Sequence, residues 1–171
     1  MKALQAGALR LEPLVQAHAA LLYPLLSDPL LYTYMDHGPP ASEAALSTVY
    51  ERLEARRSPD GSEQWLNWAV FDGQQQALGF VQATVLSEHR AWVAYVLGRA
   101  HWGRGYGQAA TRAMVDHLGS DYRVRQCLAC VERANIHSLS LLHQLGFEVA
   151  DAATAACHTL TPTEVLLLRE L

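Results

Sequence analysis

The run Trp102-Gly103-Arg104-Gly105-Tyr106-Gly107 puts three glycines at alternate positions between an apolar segment and an amphipathic one. With no side chains at those positions, main-chain N–H groups can converge on one point. A helix starting there adds the positive end of its dipole. The chemistry implied is the binding of a phosphate. The flanks agree with a strand, a glycine turn and a helix. Upstream, Ala91-Trp92-Val93-Ala94-Tyr95-Val96-Leu97 is β-branched, aromatic and almost wholly apolar, as an interior strand is. Downstream, Ala110, Met114 and Leu118 recur every four residues, with Arg112, Asp116 and His117 on other faces. That spacing predicts a helix from 105, with Gly119 as the residue that closes it.

Two phosphate-binding patterns are excluded by the residues after the glycines. A Walker-type loop needs Lys and then Ser or Thr after its last glycine, and Gln108-Ala109 supplies neither. The dinucleotide fingerprint needs G-x-G-x-x-G and an acidic residue about twenty positions on. Here the spacing is G-x-G-x-G, and Cys127-Leu128-Ala129-Cys130 holds no carboxylate. Taken alone, the glycines serve equally as a tight turn between packed elements. A second segment adds to them. From Glu132 to Phe147, Asn135 is a natural N-cap, Ile136, Leu139, Leu142 and Leu145 share one face, and Gly146 ends the helix.

Together these two segments resemble the GNAT superfamily of acetyl-CoA-dependent N-acetyltransferases, and the likeness spans nearly the whole chain. Leu9-Arg10-Leu11-Glu12-Pro13-Leu14 resembles the family's first strand, Leu25-Leu26-Ser27-Asp28-Pro29 the following helix and its break, and Leu78-Gly79-Phe80-Val81 its third strand. W-G-R-G-Y coupled to N-x-x-S and L-G-F is closest to the RimJ/RimL-like branch that acetylates the N-termini of ribosomal proteins. The resemblance implies an α/β (α+β) fold: a mixed central sheet of about six to seven strands flanked by helices, with acyl-CoA wedged between splayed central strands. It implies acetyl-CoA as cosubstrate, no metal, and an amine acceptor, a peptide N-terminus or a small molecule, attacking directly in a ternary complex.

The resemblance also assigns residues. Main-chain groups of Tyr95, Val96 and Leu97 would pair with the pantetheine arm and polarise the acetyl carbonyl. Those of Arg104, Gly105, Tyr106, Gly107 and Gln108 would hold the pyrophosphate, and Asn135 would bond the pantetheine or acyl end. Each assignment has a structural rival: Asn135 as helix cap, Tyr95 as core, Arg104 as a solvated charge and Trp102 as packing for the turn. Many family members carry a tyrosine four residues before the final glycine as acid to the thiolate, and this chain has Leu142 there. Ser138, at the serine of N-x-x-S, is then the group to protonate or bond the sulfur, with Tyr95 and His143 as substitutes. Trp102 stands where the wider family has Gln or Arg, and Ala109 replaces a Glu common in the ribosomal branch. Glu88, His89, Asp36 and His37 are candidate bases because they titrate and fall in loops. The rival functions are a non-catalytic acyl-CoA-binding or regulatory domain and a nucleotide-phosphate enzyme. The acceptor itself has no recognisable code in the loops.

Composition sets the frame for these elements. A chain of 171 residues, 50% hydrophobic and 18% charged, can bury a core as one domain over 1–171 without disulfides or metal. No apolar stretch reaches the length of a membrane span, and the first residues lack a signal-peptide core, so the expected compartment is the cytoplasm and no membrane partner is expected. A net charge of -4 without a dense basic run gives no generic attraction to nucleic acid. Cys127 and Cys130 form a C-x-x-C on a predicted strand, where residues three apart face opposite sides and cannot share a metal. Buried, inert cysteines are expected. The remaining pattern predicts strands near 8–14, 65–72, 77–87, 91–98, 123–131, 147–152 and 163–170, and helices near 16–26 and 42–57. Glu164-Val165-Leu166-Leu167-Leu168 reads as an apolar edge strand able to mediate a homodimer; otherwise the chain is a monomer.

Overall fold

Alternate residues of the central strand pack against different helices, and this fixes the architecture. The computed structural model describes residues 1–171. In chain order its elements are β1 Leu4–Ala6, β2 Leu9–Pro13, α1 His18–Leu26, a 3-10 turn Pro29–Tyr32, α2 Glu43–Leu53, β3 Gln64–Phe71, β4 Ala77–Val85 and β5 Arg90–Leu97. A 3-10 turn Arg99–His101 then leads to α3 Tyr106–Tyr122, β6 Gln126–Glu132, α4 Ile136–Gln144, β7 Glu148–Val149, α5 Ala152–Ala155 and β8 Glu164–Glu170. Ala91, Val93 and Leu97 join Ala110, Met114 and Leu142 in one core, so α3 and α4 cover that face. Val96, Phe80, Ala69 and Phe71 join Leu22, Leu26, Leu46 and Tyr50 in a second core beneath α1 and α2. The period of two along each strand is what lets one sheet serve both layers.

The sheet has eight strands in the order β1-β2-β3-β4-β5-β6-β8-β7. The strand added to the seven segments read from the sequence is the three-residue β1, folded onto β2 through Gly7 in the left-handed region. Only β5 and β6 are parallel, and their pairing is confined to Arg90↔Gln126, Ala91↔Cys127 and Trp92↔Leu128. Beyond Trp92 the two strands part, although β5 continues to Leu97 and β6 to Glu132. On its other edge β5 stays paired with β4 from Val85↔Ala91 to Gly79↔Leu97. Gly79 is required there: with φ +149, a Cβ would lie 2.1 Å from the Val96 carbonyl oxygen.

Three expectations are corrected. Helix α3 does not stop at Gly119 but runs to Tyr122 and closes at Arg123, with the Val124 N–H donating to the Leu118 carbonyl at 3.1 Å. Gly119 instead gives room to the C-terminus, since a Cβ on it would sit 3.4 Å from Leu171. The 164–168 segment is not an edge: β8 lies between β6 and β7, with Val165, Leu166 and Leu167 buried. Cys127 is buried, but Cys130 faces the opposite side and is exposed. Both thiols are nonetheless pushed up to about 12, by burial first and, at Cys130, also by the Glu164 and Glu132 carboxylates. Neither is a thiolate at neutral pH. No helix is long and apolar enough to cross a membrane.

Candidate active site

The gap between β5 and β6 opens into a cleft of about 540 Å³ at the N-termini of α3 and α4. The glycine run forms one wall. Gly103 and Gly105 adopt φ of +70 and +76, and Gly105 is the N-cap of α3. A left-handed residue at the cap turns the chain sharply enough that successive amides face the same way. The N–H groups of Gly103, Arg104, Gly105, Tyr106, Gly107 and Gln108 have no acceptor within the protein, the first bonded amide being that of Ala109, to the Gly105 carbonyl at 3.0 Å. Those of residues 106–108 are the donors that a first helical turn always leaves free. Gly107 serves packing instead, because a Cβ there would meet Leu141 at 3.1 Å and Leu97 at 3.4 Å, and its hydrogen lets α3 seat against α4 and β5. Trp102 braces the turn by donating its indole N–H to the Leu97 carbonyl at 2.8 Å.

The strand wall follows from hydrogen-bond alternation. Leu86 N–H donates to the Arg90 carbonyl at 2.8 Å, and Gly98 N–H donates to the Leu78 carbonyl at 2.9 Å. Even-numbered residues of β5 therefore direct their main chain at β4, and odd-numbered residues direct theirs at the gap. Tyr95 offers its N–H and carbonyl to the cleft and Leu97 its N–H, the Leu97 carbonyl being taken by the Trp102 indole. Val96 does not: it lines the cleft, but its main chain is paired with Phe80 of β4. The expected pairing of Val96 with a pantetheine arm is thus corrected by strand parity.

Helix α4 supplies the third wall. The Asn135 side chain accepts from the Ser138 N–H at 3.1 Å, which confirms it as the cap, while its amide NH2 has no partner in the protein. The cap places Ser138 in the first turn, where its Oγ lies 2.7 Å from the Tyr95 hydroxyl. Burial pushes the Tyr95 phenol above its usual range despite that hydrogen bond, so it remains protonated. Leu142 is core, 1% exposed, and His143 is turned away to bond the Phe147 carbonyl at 2.9 Å. The cleft thus offers the bonded hydroxyls of Tyr95 and Ser138 as a proton donor.

Other sequence candidates are not brought together here. Glu88 lies in the β4–β5 turn at the far end of β5, exposed and bonded to Arg90. It stands about 23 Å along the strand from Tyr95, seven residues at the usual rise, and the proposed base there is corrected. His89 shares that end, where it holds the Arg123 carbonyl at 3.1 Å. Asp36 and His37 are exposed and do not line the cleft, although their neighbours Tyr34 and Met35 do. The side chain of Arg104 is exposed, leaving only its amide in the cradle. Sequence reasoning missed His101, which is 6% exposed and lines the cleft with its Nε2 unpartnered. Burial first, then the Arg104 charge, lowers its pKa and keeps the ring neutral.

The family model described as an acetyltransferase (GNAT) domain matches residues 8–148. The chain belongs to the GNAT acetyltransferase family. A curated relative, the uncharacterized N-acetyltransferase p20 of Bacillus licheniformis, is 36% identical to this acetyltransferase over 59 residues, covering 34% of the chain and 33% of the relative. The matched segment thus spans about a third of that relative's length. Among solved structures, RimL, a ribosomal L7/L12 α-N-protein acetyltransferase in complex with coenzyme A, superposes with a TM-score of 0.81 at 15% identity, covering 99% of this chain and 98% of that one. Spermidine N-acetyltransferase from Vibrio cholerae, in complex with CoA and spermine, gives 0.74 at 15% identity over 94% and 93%. At these identities the likeness is one of fold.

Proposed function

We propose that this acetyltransferase moves the acetyl group of acetyl-CoA to a primary amine by direct attack in a ternary complex. The observation that carries the reading is the set of unpaired amides from Gly103 to Gln108 opening onto the same cleft as the Tyr95–Ser138 pair. A diphosphate is the group that such a cradle fits, since it presents several acceptors and negative charge to a helix N-terminus. The main-chain groups of Tyr95 and the N–H of Leu97, whose carbonyl is taken by the Trp102 indole, run from the cradle along the gap, and an extended pantetheine arm with its own amides matches them as a short added strand. The reacting end then lies beside Tyr95 and Ser138, which can hand a proton to the departing thiolate. Alignment of donor and acceptor accounts for much of the acceleration. RimL and the spermidine enzyme are solved with CoA, which supports the donor.

The test is release of free thiol from acetyl-CoA against a panel of amines, beginning with peptides bearing Ser, Ala or Met at the N-terminus and with polyamines. Turnover that falls in Gln108→Pro, which removes one unpaired amide of the cradle, and persists in Gln108→Ala, which keeps it, supports the reading. Thermal stabilisation by CoA without turnover on any acceptor would make the domain a binder, and stabilisation by ATP with magnesium but not by CoA would overturn the donor.

A further inference from the structure

We propose that the imidazole of His158 is the base that takes the proton from the acceptor amine, a role that rests on the acetyl-transfer reading above. Trp92 marks the vertex of the gap, because it is the last residue of β5 paired to β6. The cradle, Tyr95 and Ser138 lie toward α3 and α4, so the donor occupies that side and the amine must reach the carbonyl from the other. On the other side, strand parity presents Trp92 and Ala94 of β5 and Leu128 and Cys130 of β6. Ala94 and Cys130 are exposed, so this patch of the sheet is open to an incoming molecule.

His158, in the segment between α5 and β8, packs edge-on against Trp92 with ring centroids 5.3 Å apart at 89°. The contact fixes the ring over the vertex, and neither ring nitrogen has a hydrogen-bond partner in the protein. The titratable groups that β6, β8 and the α5–β8 segment bring beside this ring are engaged. Glu164 accepts from the Thr161 N–H at 2.8 Å, Glu132 accepts from the Thr163 hydroxyl at 3.0 Å, and the Cys157 thiol donates to the Ala153 carbonyl at 3.5 Å. Cys130 is a thiol rather than a thiolate.

The step balances across the sheet. The amine lone pair attacks the thioester carbon, the C–N bond forms, and the C–S bond breaks with its electron pair going to sulfur. The thiolate takes a proton from the Tyr95–Ser138 pair while the new ammonium loses one to His158. Both sites then exchange with water, leaving an acetamide and free CoA.

The test compares His158→Gln and His158→Ala with the parent enzyme on its best amine, reading kcat, CoA affinity by calorimetry, and the effect of added imidazole. The expected result is a fall in kcat of about 100-fold or more, with CoA affinity unchanged and partial recovery of His158→Ala by imidazole. Parental kcat in either variant, a loss of CoA affinity in step with kcat, or a loss that imidazole does not lift overturns the assignment. A parent that turns over while the variants match it removes His158 alone. A parent inactive on every amine removes the acetyl-transfer reading and this inference with it.

Discussion

One amide of the cradle can be deleted without disturbing the helix that carries it. Gln108 is the third residue of α3, and its N–H has no acceptor within the protein, so Gln108→Pro removes a donor that no intrahelical bond uses. The carbonyl with which the ring would clash, that of residue 104, precedes the helix, and the preceding residue is Gly107, which has no Cβ to crowd the ring. The fold should therefore lose little stability, as expected of proline in a first turn. Ligand binding should lose one hydrogen bond to a charged oxygen, worth about 1.5–3 kcal/mol. At about 1.4 kcal/mol per factor of ten, this is a CoA dissociation constant raised roughly 10- to 100-fold. Gln108→Ala keeps the N–H while removing the side chain, and the ratio of the two variants isolates the amide. The assay is calorimetry with CoA, alongside thermal unfolding of both proteins. Equal affinities for Gln108→Pro and Gln108→Ala, with both folded, would refute the cradle as a diphosphate site.

Other parts of the structure carry further outcomes. Ser138→Ala and Tyr95→Phe should each lower kcat by about 10- to 100-fold with little change in CoA affinity, and the double variant should fall short of the product of the two because the hydroxyls act as one bonded pair; multiplicative losses in single-turnover kinetics would contradict this. Gly79→Ala forces a Cβ against the Val96 carbonyl, so chemical denaturation should show a loss near the upper end of single substitutions, about 3 kcal/mol. His18 accepts the Val15 N–H on Nδ1 at 3.2 Å, and burial, outweighing the Glu12 charge, lowers its pKa. As pH falls below about 6.5 the unfolded chain takes up this proton before the folded one. Stability should therefore drop as the pH approaches the lowered folded value, and in His18→Gln urea titrations across that window should show a shallower drop.

Much of the site was legible because it is local. A glycine run between a period-two and a period-four pattern places free amides by itself, and Asn135 caps its helix through a bond three residues away, so both were readable from spacing. The strands were readable for the same reason, since alternation of Leu, Val and Ala along a few residues reports two buried faces. The sequence could not show that Cys130 would be left exposed while Cys127 was buried, because the difference lies in which helices cover each face. Nor could it show that β8 is interior: an apolar run looks alike at an edge and between two strands, and β7 is only two residues long.

The sequence by itself determined the turn, the caps and the apolar faces, because each depends on neighbours a few residues apart. The tertiary structure decided the active site's sides and depth. Where β5 leaves β6, that Val96 turns its main chain to β4, that Tyr95 meets Ser138 across 43 positions and that Glu88 lies at the wrong end are consequences of register. Register is set by pairing between distant strands, and no local spacing encodes it.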